Sequence, residues 1–478
     1  MAEKIEHFAK TKILATLGPS TYDSEQIKKL IVSGIDGVRL NFSHGNYEFF
    51  EKLYQNIYKA CVDEKTPLAV LIDLQGPKIR IGELVEPEYL IEKDEILEIT
   101  TQSIIGTKDK ISTTYKNLVE DAELGNLILI DDGLLKLQII DKTKDSVVCK
   151  AMNNGKIKPR KGMNLPGMKL STPSITEKDY SDIEFAVKNR VDFIALSFVR
   201  SPEDVVELKN WLVMKGLDIP VIAKIEKKEA VDLFDDILSV SDGIMIARGD
   251  LGVELPPQEL PVLQKSIIKK CNSVGKLVIT ATQMLESMIN SPIPTRAEAS
   301  DVANAVWDGT DVVMLSGETS VGAYPIQTVE TMNDILKKAE TNFPFQKHID
   351  YFIPENLQDK LFDSVGKAIV EISKRINAEA IVVFTELGRT AKLISKYKPN
   401  CKIIAISNKF DTMNKLSLYW GVIPIFSEKI DKEKIYIDDA KAKILELGLA
   451  KKGDLLIFTA GTPYSEKRRI NWLDFEII

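Results

Sequence analysis

A lysine and a glutamate two positions apart, Lys224-Ile225-Glu226, stand at the end of a short apolar run, and Arg248-Gly249-Asp250-Leu251-Gly252 stands at the end of the next. Two carboxylates at neighbouring strand ends suit Mg²⁺, which holds on to its water and takes its remaining octahedral positions from oxygen ligands. Arg39, Arg80 and Lys224 are cations suited to phosphate and carboxylate oxygens. Gly249 lets backbone N–H groups come close to an anion. A metal, positioning cations and room for an in-line acceptor are the parts phosphoryl transfer requires. Each motif alone has a plain reading: Lys-x-Glu as a salt bridge, Arg-Gly-Asp-Leu-Gly as a turn, His44 as a satisfied surface or core histidine. They carry chemistry only if one fold gathers them.

The elements that must position them are short and alternate. Apolar runs at Lys12–Leu17, Gly37–Leu40, Leu68–Asp73, Phe193–Ser197, Val221–Lys224, Gly243–Ala247, Leu277–Thr280 and Val312–Leu315 are separated by amphipathic stretches such as Ser24–Ser33, Glu203–Lys215 and Pro261–Val274. That alternation predicts βα units closing into a (β/α)₈ TIM barrel, a fold whose function concentrates where strands end. From Pro77 to Ser171 helical periodicity gives way to β-like pieces at Leu90–Thr100, Asn126–Ile130, Leu134–Ile140 and Ser146–Ala151. Turn signals lie at Asp132-Gly133 and Asn154-Gly155. A polar linker, Asn342–Pro354, precedes four more βα-type runs at Ala380–Thr385, Cys401–Ser407, Gly421–Phe426 and Asp454–Thr459. The expected organisation is a barrel from residues 1–76 and 172–345, an inserted small β-barrel lid at 77–171, and an open α/β domain at 346–478.

The net charge is −7 and no stretch is strongly basic, which argues against nucleic acid as the main partner. No apolar run is long enough to suggest a membrane span, and Met1 to Lys12 has no apolar core of the kind a secretory leader carries. Cys61, Cys149, Cys271 and Cys401 lie far apart without a CxxC pair, as expected of free thiols in a reducing compartment. The expected location is the cytoplasm.

Six segments in order, Arg39–Gly45 (RLNFSHG), Ala223–Glu226 (AKIE), Ala247–Gly252 (ARGDLG), Ala281–Met288 (ATQMLESM), Thr295–Asn304 (TRAEASDVAN) and Met314–Thr319 (MLSGET), resemble signature segments of the pyruvate kinase family. The likeness covers essentially the whole chain. It implies transfer of the phosphoryl group of phosphoenolpyruvate to ADP, with Mg²⁺ or Mn²⁺ as cofactor. Lys224 would stabilise charge on the transferring group and the enolate oxygen. Glu226 and Asp250 would hold the metal, and Arg39 would bind the phosphoryl group. Main-chain N–H groups near Gly249 and Asp250, with the Thr282 hydroxyl, would take the substrate carboxylate. Thr282 would also help a water deliver the proton. Nucleotide contacts fall to Asn41, His44, Arg80 and Lys161, and Asp131-Asp132-Gly133 with Lys161–Pro166 would close over ADP. A homotetramer is also implied.

One stretch departs from the common family pattern. Where many members carry Thr-Lys-Gly-Pro-Glu, this chain has Leu74-Gln75-Gly76-Pro77-Lys78. The common form accompanies a K⁺ held at the positions of Asn41, Ser43, Asp73 and Leu74. The form here resembles the potassium-independent branch, with Lys78 substituting for K⁺ and no K⁺ required. In the C-terminal domain Thr385-Glu386-Leu387-Gly388-Arg389-Thr390 resembles a loop for a phosphorylated effector. Glu386 weakens that match, so a response to fructose 1,6-bisphosphate is expected to be weak or absent. Two rival readings are a Mg²⁺-dependent pyruvate-enolate carbon–carbon lyase on the same barrel and a catalytically inactive nucleotide-binding scaffold. The lid and Lys224 speak against the first. The presence of Lys224, Glu226 and Asp250 speaks against the second.

Overall fold

The computed structural model describes residues 8–343, 351–428, 437–461 and 470–478. Eight parallel strands, β1 (Lys12–Thr16), β2 (Gly37–Asn41), β3 (Ala69–Asp73), β4 (Phe193–Leu196), β5 (Val221–Ile225), β6 (Gly243–Ala247), β7 (Leu277–Ala281) and β8 (Val312–Leu315), close into a barrel in chain order. Closure is direct, with Lys12 of β1 level with Val312 of β8. Apart from β2, these strands are buried along their whole length, because their outer faces are covered by helices. One set of side chains, Leu14, Leu71, Phe193, Ile222, Met245, Ile279 and Met314 among them, fills the interior. The alternate set, including Ile13, Ile72, Ile194, Ile244 and Val313, packs outward against the helices. Local sequence fixes the helix ends. Asp23 accepts the N–H of Gln26 to start Ser24–Ser33, and Gly34 ends that helix at φ +116°, where only glycine is unstrained.

The eight expected barrel strands are all present. The insert between β3 and β4 also has the expected β character, but in more pieces. Leu90–Thr100 is not one strand: it divides into Tyr89–Ile91 and Ile96–Thr100 around Asp94 at φ +72°. Short strands at Lys110–Ser112, Gly155–Ile157 and Met163–Asn164 were too brief to read in the sequence. Gly155 opens a strand, so the turn lies just before it and not at Asn154-Gly155. Asp131, Asp132 and Gly133 all have positive φ, as the Asp132-Gly133 signal required.

Six of these strands form one sheet running from Met163–Asn164 at one edge to Lys110–Ser112 at the other. The chain arriving from β3 spans the two edges. The N–H of Ile81 donates to Lys161 O (3.0 Å) and the N–H of Met163 to Ile79 O (2.9 Å), while the N–H of Gly82 donates to Ser112 O (2.9 Å). The segment that leads into the lid therefore also seals its sheet.

The C-terminal strands Ala380–Phe384, Lys402–Ser407, Val422–Phe426 and Leu455–Ala460 are parallel, as expected. A fifth, Trp472–Ile477, pairs antiparallel with the last of these at the edge. It escaped the sequence reading because its alternation is brief and its side chains are half-exposed. Residues 344–350 of the expected linker, Pro344 among them, lie outside the described residues.

This unit docks at the barrel floor, the end away from the strand termini that carry the polar motifs. Leu418 joins the interior cluster of the barrel, and a Cβ placed on Gly37 would meet its Cδ2 at 2.9 Å. The hydroxyl of Ser417 donates to Asp36 O at 2.8 Å. Lys398 forms a buried ion pair with Asp311, and its ammonium lies 5.0 Å from the Trp420 ring centre. Replacing Leu418 by alanine is expected to leave a cavity at the floor and destabilise the docked unit by about 2–5 kcal/mol. A urea titration followed by tryptophan fluorescence checks this, and an unchanged midpoint would count against the plug.

Candidate active site

The ends of β2, β3, β4 and β5 bring a set of charges together under the lid. Arg39 on β2 donates from Nε to Asp73 Oδ2 at 2.7 Å and from Nη1 to Thr16 Oγ1 at 3.1 Å. Lys224 on β5 reaches Asp73 Oδ1 at 3.1 Å, Glu226 Oε1 at 2.7 Å and Ser197 Oγ at 2.8 Å. The second oxygen of Glu226 accepts the N–H of Phe198 at 2.9 Å. Asp73, Lys224 and Glu226 are all buried.

The proton affinities follow from this packing. Burial would favour neutral Asp73, but Lys224 and Arg39 outweigh it and hold the carboxyl below its ordinary range. Burial likewise opposes the charge on Lys224, yet Asp73 and Glu226 together raise its affinity well above that of a free lysine. The ammonium therefore persists at neutral pH. Glu226 is shifted upward, chiefly by burial and by the nearby Asp250, with Lys224 opposing. A divalent cation between Glu226 and Asp250 would remove that penalty. Among the described residues no cluster of three or more His, Cys, Asp or Glu side chains is placed to hold a metal. Two protein carboxylates with the remaining positions open fit Mg²⁺.

Asp250 sits in the helix Arg248–Glu254 that follows β6 and faces a cleft between barrel and lid. The N–H of Gly249 donates to Thr282 Oγ1 at 2.8 Å, and that hydroxyl donates to Ala281 O at 2.6 Å. Thr282 and Gln283 both have left-handed backbones, φ +65° and +55°. What holds this loop is Arg248, which donates to Thr282 O at 2.7 Å and pairs with Asp301 at 2.6 Å. Arg248 and Ser197 were not among the expected site residues. Both lie beside residues that were, and only the fold shows that they join one strand end to another.

Across the cleft stand Lys78, Arg80, Asp131 and Lys161. Lys161 pairs with Asp131 at 2.9 Å, and Arg80 donates to Arg160 O at 3.0 Å. Lys78 is exposed and makes no ion pair with Asp73, whose oxygens are engaged by Arg39 and Lys224. Two of the other groups expected to hold K⁺ also accept hydrogen bonds within the chain. Asn41 Oδ1 accepts the N–H of Ser43 at 3.1 Å, and Leu74 O accepts the Ser197 hydroxyl at 2.7 Å. His44 lies near enough to Lys78, Arg80 and Arg39 that burial first, and then these three cations, lower its proton affinity.

Comparison with known proteins agrees with the geometry. The profile described as "Pyruvate kinase, barrel domain" matches residues 8–329, and "Pyruvate kinase, alpha/beta domain" matches residues 363–474. The chain belongs to the pyruvate kinase family. A pyruvate kinase of Staphylococcus epidermidis is 42% identical over 98% of this chain and 80% of its own length. One from Staphylococcus aureus strain MRSA252 is 43% identical over the same shares. The crystal structure of a pyruvate kinase from Cryptosporidium parvum superposes with a TM-score of 0.92 at 39% identity, covering 99% of this chain and 97% of that one.

The family signature segments divide into two kinds once seen in place. Thr295 and Glu298 form a capping box that starts the helix Arg296–Asp308, and Glu298 also binds Ser287. Glu318 accepts the N–H groups of Ser316 and Leu285, and Thr319 donates to Thr16 O. These residues fix loops, whereas Arg39, Lys224 and Glu226 join the charge network with Asp73 and Asp250 lines the cleft.

The cationic surroundings of His44 give a measurable consequence. Its folded-state affinity is below that of an unfolded histidine, so the folded protein binds fewer protons. Stability from neutral His44 is therefore full above about pH 6.5 and falls as pH drops below it. The His44 C2 proton, assigned with His44→Gln, is expected to titrate below pH 6.5 by NMR. Added inorganic phosphate should move the midpoint upward by screening the cations.

Proposed function

We propose that this chain catalyses phosphoenolpyruvate + ADP + H⁺ → pyruvate + ATP, with residues 1–76 and 172–345 as the catalytic unit, 77–171 as the lid and 346–478 as a regulatory unit. The observation that carries the assignment is the Arg39–Asp73–Lys224–Glu226 network, closed at the barrel mouth beneath a lid that presents Arg80 and Lys161. Membership of the pyruvate kinase family supports the same activity.

In this reading Arg39 and Lys224 meet the phosphoryl group of the substrate. Lys224 keeps its charge at neutral pH, so it stabilises charge developing on the transferring group and the enolate oxygen and does not serve as the proton donor. Glu226 and Asp250 would hold Mg²⁺, which supplies charge neutralisation to the phosphoryl and enolate oxygens when bound. The substrate carboxylate takes the amides near Gly249 and Asp250 together with the Thr282 hydroxyl. That hydroxyl must then release the Gly249 N–H it accepts in this structure. Thr282 also orients the water that protonates the enolate carbon. Asn41, His44, Arg80 and Lys161 contact the nucleotide phosphates, and lid closure keeps out the water that would hydrolyse the donor.

The reading extends to a cytoplasmic homotetramer, which sedimentation velocity tests, and to a phosphorylated effector near Arg389 and Thr390. Glu386 in that loop lies 3.5 Å from Lys409, which offsets part of its charge. Lys224→Met and Glu226→Gln are expected to lower turnover by about 10²–10³ or more while the fold is kept. Near-wild-type rates at saturating Mg²⁺, with circular dichroism unchanged, would refute the assignment. A pyruvate-releasing lyase assay run in parallel separates the rival reaction on this barrel.

We also propose that K⁺ is not required. Support comes from the resemblance of the Leu74–Lys78 stretch to the potassium-independent branch, and from the positive charge of Lys78 at the mouth. A positive charge at the mouth makes entry of a second cation less favourable. Turnover in tetramethylammonium and K⁺ buffers of equal ionic strength is expected to differ by less than about tenfold, which is about 1.4 kcal/mol in barrier. Lys78→Glu should lower the K⁺-free rate and recover part of it with K⁺. The same assay with fructose 1,6-bisphosphate is expected to show little activation, and strong activation lost in Arg389→Ala would contradict the effector argument.

A further inference from the structure

Phe198, at the turn after β4, has a left-handed backbone with φ +56°. A bulky L-residue enters that region only at a steric cost, and a glycine there would be unstrained. The backbone alone therefore gives no reason for an aromatic ring at this position. The ring lies against Gly76. A Cβ placed on Gly76 would meet Phe198 Cδ2 at 2.8 Å and Ser197 Cβ at 3.3 Å, so the two segments touch without slack. Gly76 lies where the chain leaves β3 for the lid. It has φ +63°, and its N–H donates to Asp179 Oδ1 at 3.1 Å.

The other side of the same turn faces the chemistry. The N–H of Phe198 holds Glu226 Oε2 at 2.9 Å, and its neighbour Ser197 accepts from Lys224 and donates to Leu74 O. One strained dipeptide thus contacts the base of the lid with its ring and the carboxylate assigned to the metal with its amide. We propose that Phe198 is a positioning residue that relays the lid hinge at Gly76 to Glu226, so that lid position and metal affinity are coupled. The inference rests on the reading of Glu226 as a Mg²⁺ ligand. A close-packed contact transmits a displacement because it has no void to absorb it. The Phe198 backbone cannot rotate without turning its N–H away from Glu226.

The test is direct binding of Mn²⁺, as a stand-in for Mg²⁺, to the full chain without substrate, with free ion read by electron paramagnetic resonance. Gly76→Ala presses a methyl against the ring and is expected to weaken Mn²⁺ binding about tenfold, within the usual span of coupling between sites. Phe198→Gly keeps the amide but loses the ring, and is expected to weaken binding about fivefold, at the low end of the same scale, with the thermal midpoint unchanged or raised by relief of strain. In the double variant the methyl still meets Ser197 Cβ on a left-handed backbone but has no ring to press on, so the loss of affinity should be less than the product of the two single effects. Wild-type affinity in both single variants, or effects that multiply in the double variant, would overturn the relay. If Gly76→Ala does not fold, Phe198→Gly decides alone, and unchanged Mn²⁺ affinity overturns the proposal. Glu226→Gln separates the levels. Loss of binding there with both hinge variants normal refutes only the relay, whereas normal binding in Glu226→Gln refutes the metal assignment and the relay with it.

Discussion

Asp73 is a carboxylate removed from water, and a buried charge is tolerable only when partners replace the lost hydration. Arg39 takes one of its oxygens and Lys224 the other, and Lys224 in turn needs Glu226. The closed set has two cations and two anions, so it is neutral before any metal or substrate arrives. Its members come from three strands that are not all neighbours: β2 pairs with β3, while β5 is reached through β4. The network is therefore satisfied only if the register around the barrel is correct. Asp73 is level with Asn41 on one side and Ala195 on the other. A slip of one residue would turn its carboxylate out of the barrel and leave Lys224 and Glu226 without it.

The two ends of the barrel serve different ends. At the floor, apolar contact and a buried ion pair bind the C-terminal unit, with Leu418 entering the interior cluster. At the mouth, charge and strained backbone prevail: Phe198, Thr282 and Gln283 all sit at positive φ beside the candidate site. Strain of this kind persists where surrounding contacts over-determine it. Here those contacts are visible. Arg248 grips the carbonyl of Thr282, and the Phe198 amide is fixed on Glu226. Each strained turn at the candidate site is thus held by a charged partner on a different strand end or loop.

The lid is sealed by the segment that tethers it. Residues 79–82 bridge the two edges of the six-stranded sheet. On the return side, Arg200 donates to the carbonyls of Leu170 and Thr172 and to the hydroxyl of Ser174. Both tethers end on barrel residues adjoining the charge network, which gives the lid a defined relation to the site.

Periodicity and strand-end chemistry made much of this legible in the residues alone. The eight barrel strands read clearly because each is a buried run of β-branched and aliphatic side chains between polar ends. Arg39, Lys224, Glu226 and Asp250 stood out only as a set, because one barrel mouth would gather strand-end charges that singly read as salt bridges or turns, and Asp73 entered only as an expected K⁺ position. The brief strands of the lid and Trp472–Ile477 did not read, since a few half-exposed residues carry too little pattern. The tertiary structure alone decided that Asp73 is shared between Arg39 and Lys224, that Ser197 and Arg248 join the site, and that Lys78 stands apart from Asp73. It alone brought Phe198 between Gly76 and Glu226, and Leu418 into the barrel floor. Sequence patterns report which face of an element is buried, because burial depends on local composition and period. Which groups then meet depends on register, barrel closure and the path of the loops, and those are set by contacts between residues far apart in the chain.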